Sequence, residues 1–180
     1  MNAIDSSVEL FIAPLRTEHL DVAMLMITTL FSTWTVIALL TILVILAYYC
    51  AECRYNALTI CGAVLLSSAT AESIKLLVQR ERPIAIDIAY GIEQTYSFPS
   101  GHSAVAAAFF CAWGLLFWRN IKHPVIRPLI ACGVAVSMIC IALSRVYLRV
   151  HYTTDVLAGM CVGILCAYIA VAVKTYYNKR

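Results

Sequence analysis

Charge is what this chain has least of. Charged residues fill 13% of its 180 positions, against about 25% in an ordinary soluble domain. Hydrophobic residues fill 62%, and mean hydropathy is +0.85. That balance argues against a water-soluble fold and points to a membrane. A clustered basic face is also lacking. The net charge is only +3, and the basic residues are scattered beside apolar runs, so nucleic acid is not an expected partner. Residues 1–20 hold no secretory signal, because Asp5, Glu9, Arg16 and Glu18 stand where a basic leader and an apolar core would be needed. No repeat, low-complexity stretch or metal-ligand cluster is present.

Cysteine is plentiful but badly placed for disulfides. Of eight cysteines, Cys61, Cys111, Cys132, Cys140, Cys161 and Cys166 lie inside apolar runs, where a thiol behaves as a small hydrophobe. Cys50 and Cys53 form a C-x-x-C without a surrounding βαβ pattern, so a redox role is weakly supported.

The charge-free runs mark the expected spans. Val22 to Ala51 carries no charge, and as one helix would be about 45 Å long, against a hydrocarbon core of about 30 Å. A break at Ser32 and Thr33 divides it into an interfacial helix, Leu20–Phe31, and a span, Thr33–Tyr49. Further spans are expected at Tyr55–Gln79, Ser100–Trp118, Val125–Val146 and Thr153–Val173. Pro83 is expected to end the second of these, since proline removes a helix donor and restricts the residue before it. The expected fold is an all-α integral membrane bundle of five transmembrane helices plus an N-terminal interfacial helix, six spans being the alternative. It forms one domain over 1–180, with the interfacial segment in 1–31 and the bundle in 33–177.

Five spans put alternate connections on opposite faces. One face carries Arg54, Arg119, Lys122, Arg127, Lys174, Lys179 and Arg180. The other carries Arg16, Lys75, Arg80, Arg82, Arg145 and Arg149, of which three belong to the candidate site below. The excess on the first face makes it the expected cytoplasmic side. The second face then looks to the periplasm or exterior.

That second face gathers three polar clusters, each at a helix end: Lys75-x6-Arg82-Pro83, Pro99-Ser100-Gly101-His102, and Ser144-Arg145-x5-His151-x3-Asp155. Each also has a structural reading. Lys75 and Arg82, two turns apart if the helix persists, suit interfacial snorkelling, and Glu72 is spaced to pair with Lys75. Ser100 is a good N-cap. His151 and Asp155 are spaced to meet as an i,i+4 pair. Against these stands the sum: three cations, a helix N-terminus suited to anions, two histidines and a carboxylate on one face. Such groups are expensive near lipid, so function is the default reading. The set fits phosphoryl transfer, which needs charge neutralisation, a nucleophile and an acid.

The three clusters resemble, in order and at full spacing, the motifs of the type 2 phosphatidic acid phosphatases, the PAP2 superfamily. The stretches are KLLVQRERP from Lys75, PSGH from Pro99 and SRVYLRVHYTTD from Ser144. The resemblance implies that His151 attacks phosphorus and forms a phosphohistidine, that Asp155 orients His151, and that His102 protonates the leaving oxygen and then activates water. It assigns Lys75, Arg82 and Arg145, with Ser100 and the Gly101 amide, to the phosphate oxygens. It implies no metal and no cofactor. The N-terminus departs from six-span members, and the chain resembles small bacterial members such as undecaprenyl-pyrophosphate phosphatases.

The expected activity is therefore a metal-independent lipid phosphate or pyrophosphate phosphatase in a bacterial inner membrane. Its substrate would be a phospholipid or an isoprenyl phosphate, undecaprenyl pyrophosphate or a glycerolipid phosphate first. No obligatory protein partner is implied beyond membrane lipids. A lipid phosphotransferase or lipid A phosphatase would use the same site. A transporter would need polar residues spread through the membrane depth, and the soluble vanadium haloperoxidases share the site but not the apolar spans. Loop 81–98, with Asp87, Tyr90, Glu93 and Tyr96, is expected at the mouth of the site.

Overall fold

A computed structural model of the chain describes residues 3–83, 95–118 and 121–178. Asp87, Tyr90, Glu93, Arg119, Lys179 and Arg180 lie outside the described residues. All regular elements described are helical: α1 Ala3–Ile12, a short 3-10 turn at Ala13–Leu15, α2 Glu18–Thr29, α3 Thr33–Tyr49, α4 Ala51–Val78, α5 Gly101–Phe117, α6 Ile126–Tyr147 and α7 Thr153–Tyr177.

Four stretches are long and apolar enough to cross a membrane: Glu18–Tyr49, Cys53–Val78, Ile126–Tyr147 and Thr153–Tyr177. The first is not one helix. The chain breaks after Thr29, and the Ser32 side chain caps α3 by accepting from the Thr35 amide. The expected break at Ser32 is therefore present. At 17 residues, α5 is about 26 Å long, the same length as α3.

Three elements differ from expectation. First, α1 forms where polar residues argue only against a span. Asp5 and Glu9, four residues apart, share one face of it. Second, α4 ends at Val78 rather than running to Pro83. Gln79 closes it in the left-handed region (φ 51°), its amide donating to the Lys75 carbonyl. Arg80 to Pro83 then leave the helix axis. Third, the C-x-x-C is a helix cap, since the Cys50 thiol accepts from the Cys53 amide. All eight cysteines are free.

Lipid tails are as apolar as the side chains, so the bundle needs close packing rather than hydrophobic exclusion. Many of the buried residues are accordingly small: Ala63, Ala104, Ala106, Ala107, Ala108, Ala112 and Ala167. The tightest joint is α5 on α7. A Cβ on Gly159 would collide with the Ser100 carbonyl oxygen, and one on Gly163 would collide with that of Ala104. Only glycine permits this approach. Glycines four apart are a small-x3-small contact, and here they bring the start of α7 against the start of α5. Phe31, at the joint between α2 and α3, packs on Phe109 and Phe110 of α5.

Candidate active site

The α5–α7 joint fixes the centre of the site. The Ser100 amide donates to the Asp155 carbonyl oxygen at 2.9 Å, so the two helix starts are tied through their backbones. Ser100 is fully buried. Its hydroxyl accepts from the Ser103 hydroxyl at 3.0 Å and lies at the N-cap of α5. Gly101 is the first residue of that helix, and the place its Cβ would take is 3.5 Å from the Lys75 ammonium. The positive end of α5 and the Lys75 cation thus share one corner. Lys75 itself is almost wholly buried and pairs with Glu72 at 2.8 Å, the i,i+3 pair the spacing predicts. His102 follows, half-buried, in the first turn.

Arg82 reaches the site by a different route from the one its spacing predicts. Because α4 stops at Val78, Arg82 does not share a helix face with Lys75. It sits on the extended segment after Gln79, where its guanidinium donates to the Thr95 carbonyl at 2.7 Å and the Val150 carbonyl at 2.8 Å. The same NH1 lies 3.3 Å from Nε2 of His151.

His151 is buried, just ahead of α7. Its Nδ1 lies 2.8 Å from the Ser97 carbonyl oxygen. A carbonyl only accepts, so Nδ1 carries the proton. Arginine only donates, so Nε2 presents its lone pair. Asp155 is further from the ring than the i,i+4 spacing predicts, with Oδ2 at 3.7 Å from Nδ1. The reason is local: His151 lies outside the helix that carries Asp155, and the Ser97 carbonyl is nearer. Asp155 is fully buried and accepts instead from the Ser97 hydroxyl, from the Tyr152 amide at 2.9 Å, and from Arg80. A buried carboxylate needs such donors, since burying it unpaired would cost several kcal/mol.

Arg145, at the end of α6, is buried. Its guanidinium donates to the Thr28 hydroxyl of α2 at 2.9 Å. Its carbonyl accepts the amides of Val150 and His151 at 3.2 and 3.3 Å, folding the loop back so that His151 faces Arg82. Among the described residues no three His, Cys, Asp or Glu side chains are placed to hold a metal ion.

Five participants carry no motif signal in the sequence. Ser97 contacts both His151 and Asp155. Arg80 joins Asp155 to Asp5 of α1, and Glu9 pairs with Arg149. A narrow cleft opens beside His151, lined by Asp5, Glu9, Pro83, Val146, Arg149 and Tyr152. Tyr96, expected at the mouth, is exposed.

The fold and this face define a class: an integral membrane helical bundle with a cation-rich polar site at one end. Residues 56–179 match the PAP2 superfamily, and the chain belongs to that superfamily. It is similar to phosphatidylglycerophosphatase B of Bacillus subtilis (33% identical over 100 residues, 53% of this chain and 47% of that protein). It is also similar to lipid A 1-phosphatase of Rhizobium etli (42% identical over 67 residues, 37% of this chain and 25% of that protein). The chain thus spans about half, or less, of these curated relatives. In fold it is similar to the crystal structure of a transmembrane PAP2 type phosphatidylglycerolphosphate phosphatase from Bacillus subtilis, with TM-score 0.84 and 23% identity over 98% of this chain and 88% of that one.

Proposed function

We propose that the chain is a lipid phosphate phosphatase that works through a phosphohistidine on His151, without a metal. The observation that carries this reading is the state of the His151 ring. Nδ1 is committed to the Ser97 carbonyl, and the Nε2 lone pair points toward Arg82.

In the proposed reaction Nε2 attacks phosphorus while the bond to the lipid oxygen breaks. Arg82 shifts from Nε2 to the phosphate oxygens, joined by Lys75, Arg145 and the Ser100–Gly101 turn. His102 gives its proton to the leaving oxygen. The Nδ1 proton stays on the ring, where Ser97 and Asp155 stabilise the positive charge that develops. Water then attacks the phosphohistidine, loses a proton to His102, and the P–N bond breaks to release inorganic phosphate.

The substrate we infer is a glycerolipid phosphomonoester, because a protein named for phosphatidylglycerophosphate resembles this chain in both sequence and fold. An isoprenyl pyrophosphate and a lipid A phosphate are the competing classes. A phosphate-release panel on all three with purified protein tests the choice: fastest turnover of the glycerolipid supports it, and preference for either other class overturns it. Phosphate release without an acceptor lipid supports hydrolysis over transfer. The basic-residue bias supports an outward-facing site in a bacterial inner membrane. Single cysteines at Glu81 and Lys122, with the native cysteines replaced, test that: only the Glu81 position should label from outside.

A further inference from the structure

Arg80 lies outside every position the proposed chemistry uses, yet it is the cation that touches Asp155. One guanidinium nitrogen donates to Asp155 Oδ1 and, at 2.7 Å, to the Thr154 hydroxyl. Another donates to Asp5 Oδ2 at 2.8 Å. The plane covers the Tyr152 ring, with its carbon 4.0 Å from the centroid. Two buried carboxylates, Asp5 at 2% exposure and Asp155 at 0%, therefore share one guanidinium.

Asp5 has a second task. Its Oδ1 accepts the Thr154 amide at 3.0 Å and its Oδ2 accepts the Thr154 hydroxyl at 2.9 Å. Thr154 is the second residue of α7, so a carboxylate from α1 satisfies a first-turn donor of the helix that carries Asp155. One turn further along α1, Glu9 pairs with Arg149. Both acidic residues of α1 thus hold the loop and helix start that present His151.

The charges explain why the pieces go together. Two buried carboxylates with no cation between them do not both stay ionised. With Arg80 between them they do, and Asp155 keeps a negative charge 3.7 Å from Nδ1 of His151. That charge is most useful when the ring becomes positive during phosphoryl transfer.

We propose that Arg80 is a positioning residue that keeps Asp155 ionised and oriented behind His151, and that Asp5 makes α1 the other half of this device. The N-terminal helix is then a component of the active site as well as an interfacial anchor. This inference rests on the phosphohistidine reading.

The test uses the full chain, purified in detergent micelles, with dioctanoyl phosphatidic acid as probe and phosphate release as readout. Arg80→Gln is expected to lower kcat about 10- to 100-fold, the range seen when groups behind a reacting ligand are removed, with KM changed less than about threefold. Arg80→Lys restores the cation and is expected to recover most of that loss. Asp5→Asn, which keeps the side-chain shape, is expected to lower kcat several-fold. The double variant Arg80→Gln/Asp5→Asn is expected to lose less than the product of the two single losses, because both act in part through one contact. If Arg80→Gln fails to purify, Asp5→Asn carries the test. Wild-type kcat in Arg80→Gln, or in Asp5→Asn where the glutamine variant does not purify, overturns the inference when His151→Ala is inactive. So does a loss confined to KM. An active His151→Ala overturns the phosphohistidine reading instead, so the two failures are distinguishable.

Discussion

The two ends of the bundle use the same residue types for different ends. At the site end, Lys75, Arg80, Arg82, Arg145 and Asp155 are drawn in among four elements, and most are buried. Their partners are distant in sequence: Arg80 reaches 75 residues in each direction, to Asp5 and Asp155. At the opposite end the cations close a helix or make single contacts at the surface. Arg54 donates to the carbonyls of Ala47 and Tyr48, the last turn of α3. Lys174 donates to the Asn56 amide oxygen, and Arg127 lies over the Trp118 ring. Snorkelling cations need only water and carbonyls. Burying cations and carboxylates together costs stability unless every donor and acceptor is matched. A chain that bears this cost at one end only has placed its chemistry there.

The largest effect that tests this contrast is loss of a cation proposed to hold phosphate. Lys75→Ala and Arg82→Ala should each lower phosphate release about 10²- to 10³-fold, the scale for removing a donor that stabilises transition-state charge. Steady-state kinetics on a soluble lipid phosphate measures this. Near-normal rates in both would remove the distinction between the two ends.

Next is the joint that aligns the helix starts. Gly159→Val forces a side chain against the Ser100 carbonyl. It should destabilise the protein by about 1–3 kcal/mol, the cost of overpacking, and reduce activity in the fraction that remains folded. Thermal unfolding in detergent reads the first effect and specific activity the second. A variant of unchanged Tm would show that the helices are not as close as described.

The apolar helices and the three polar clusters are legible in the sequence, because charge-free runs and fixed spacings are local signals. The break at Ser32 is legible for the same reason, as a capping residue in an apolar run. Arg80, Asp5 and Ser97 are not, since their roles depend on where three separate segments meet. Gln79 hides the path to Arg82: a left-handed residue that is not glycine leaves no clear mark, and Pro83 is the more obvious stop further along. The glycine pair does carry a local signal, for Gly159-x3-Gly163 is a plain small-x3-small pattern. Its consequence, two helix starts joined through their backbones, needs the position of α5 as well.

A smaller effect concerns pH and α1. Burial acts to raise the Asp5 carboxyl, but hydrogen bonds from Arg80 and Thr154 outweigh it and hold it below its ordinary value of 3.8. A depressed folded-state value means this stabilisation is fully present above that ordinary value and is lost as pH falls through the folded value. Docking of α1 should therefore be unchanged from neutral pH to about pH 5 and weaken only in stronger acid. Protease accessibility of residues 3–16 against pH measures this, and Asp5→Asn should reduce the acid dependence, leaving the part carried by Glu9.

The smallest effect belongs to the opposite end. Arg54→Gln and Lys174→Gln should leave phosphate release within about twofold of wild type, as expected for charges remote from the site that make single contacts. A tenfold loss in either would place part of the chemistry at that end.

The most direct measurement is capture of the intermediate. Purified protein is mixed with a lipid phosphate radiolabelled at phosphorus, quenched in denaturant, and split between acid and alkali. The expected result is a protein-bound label that survives alkali and is lost in acid, as a phosphohistidine is, and that is absent from His151→Ala. Continued phosphate release by His151→Ala, or a label stable to acid, would contradict it.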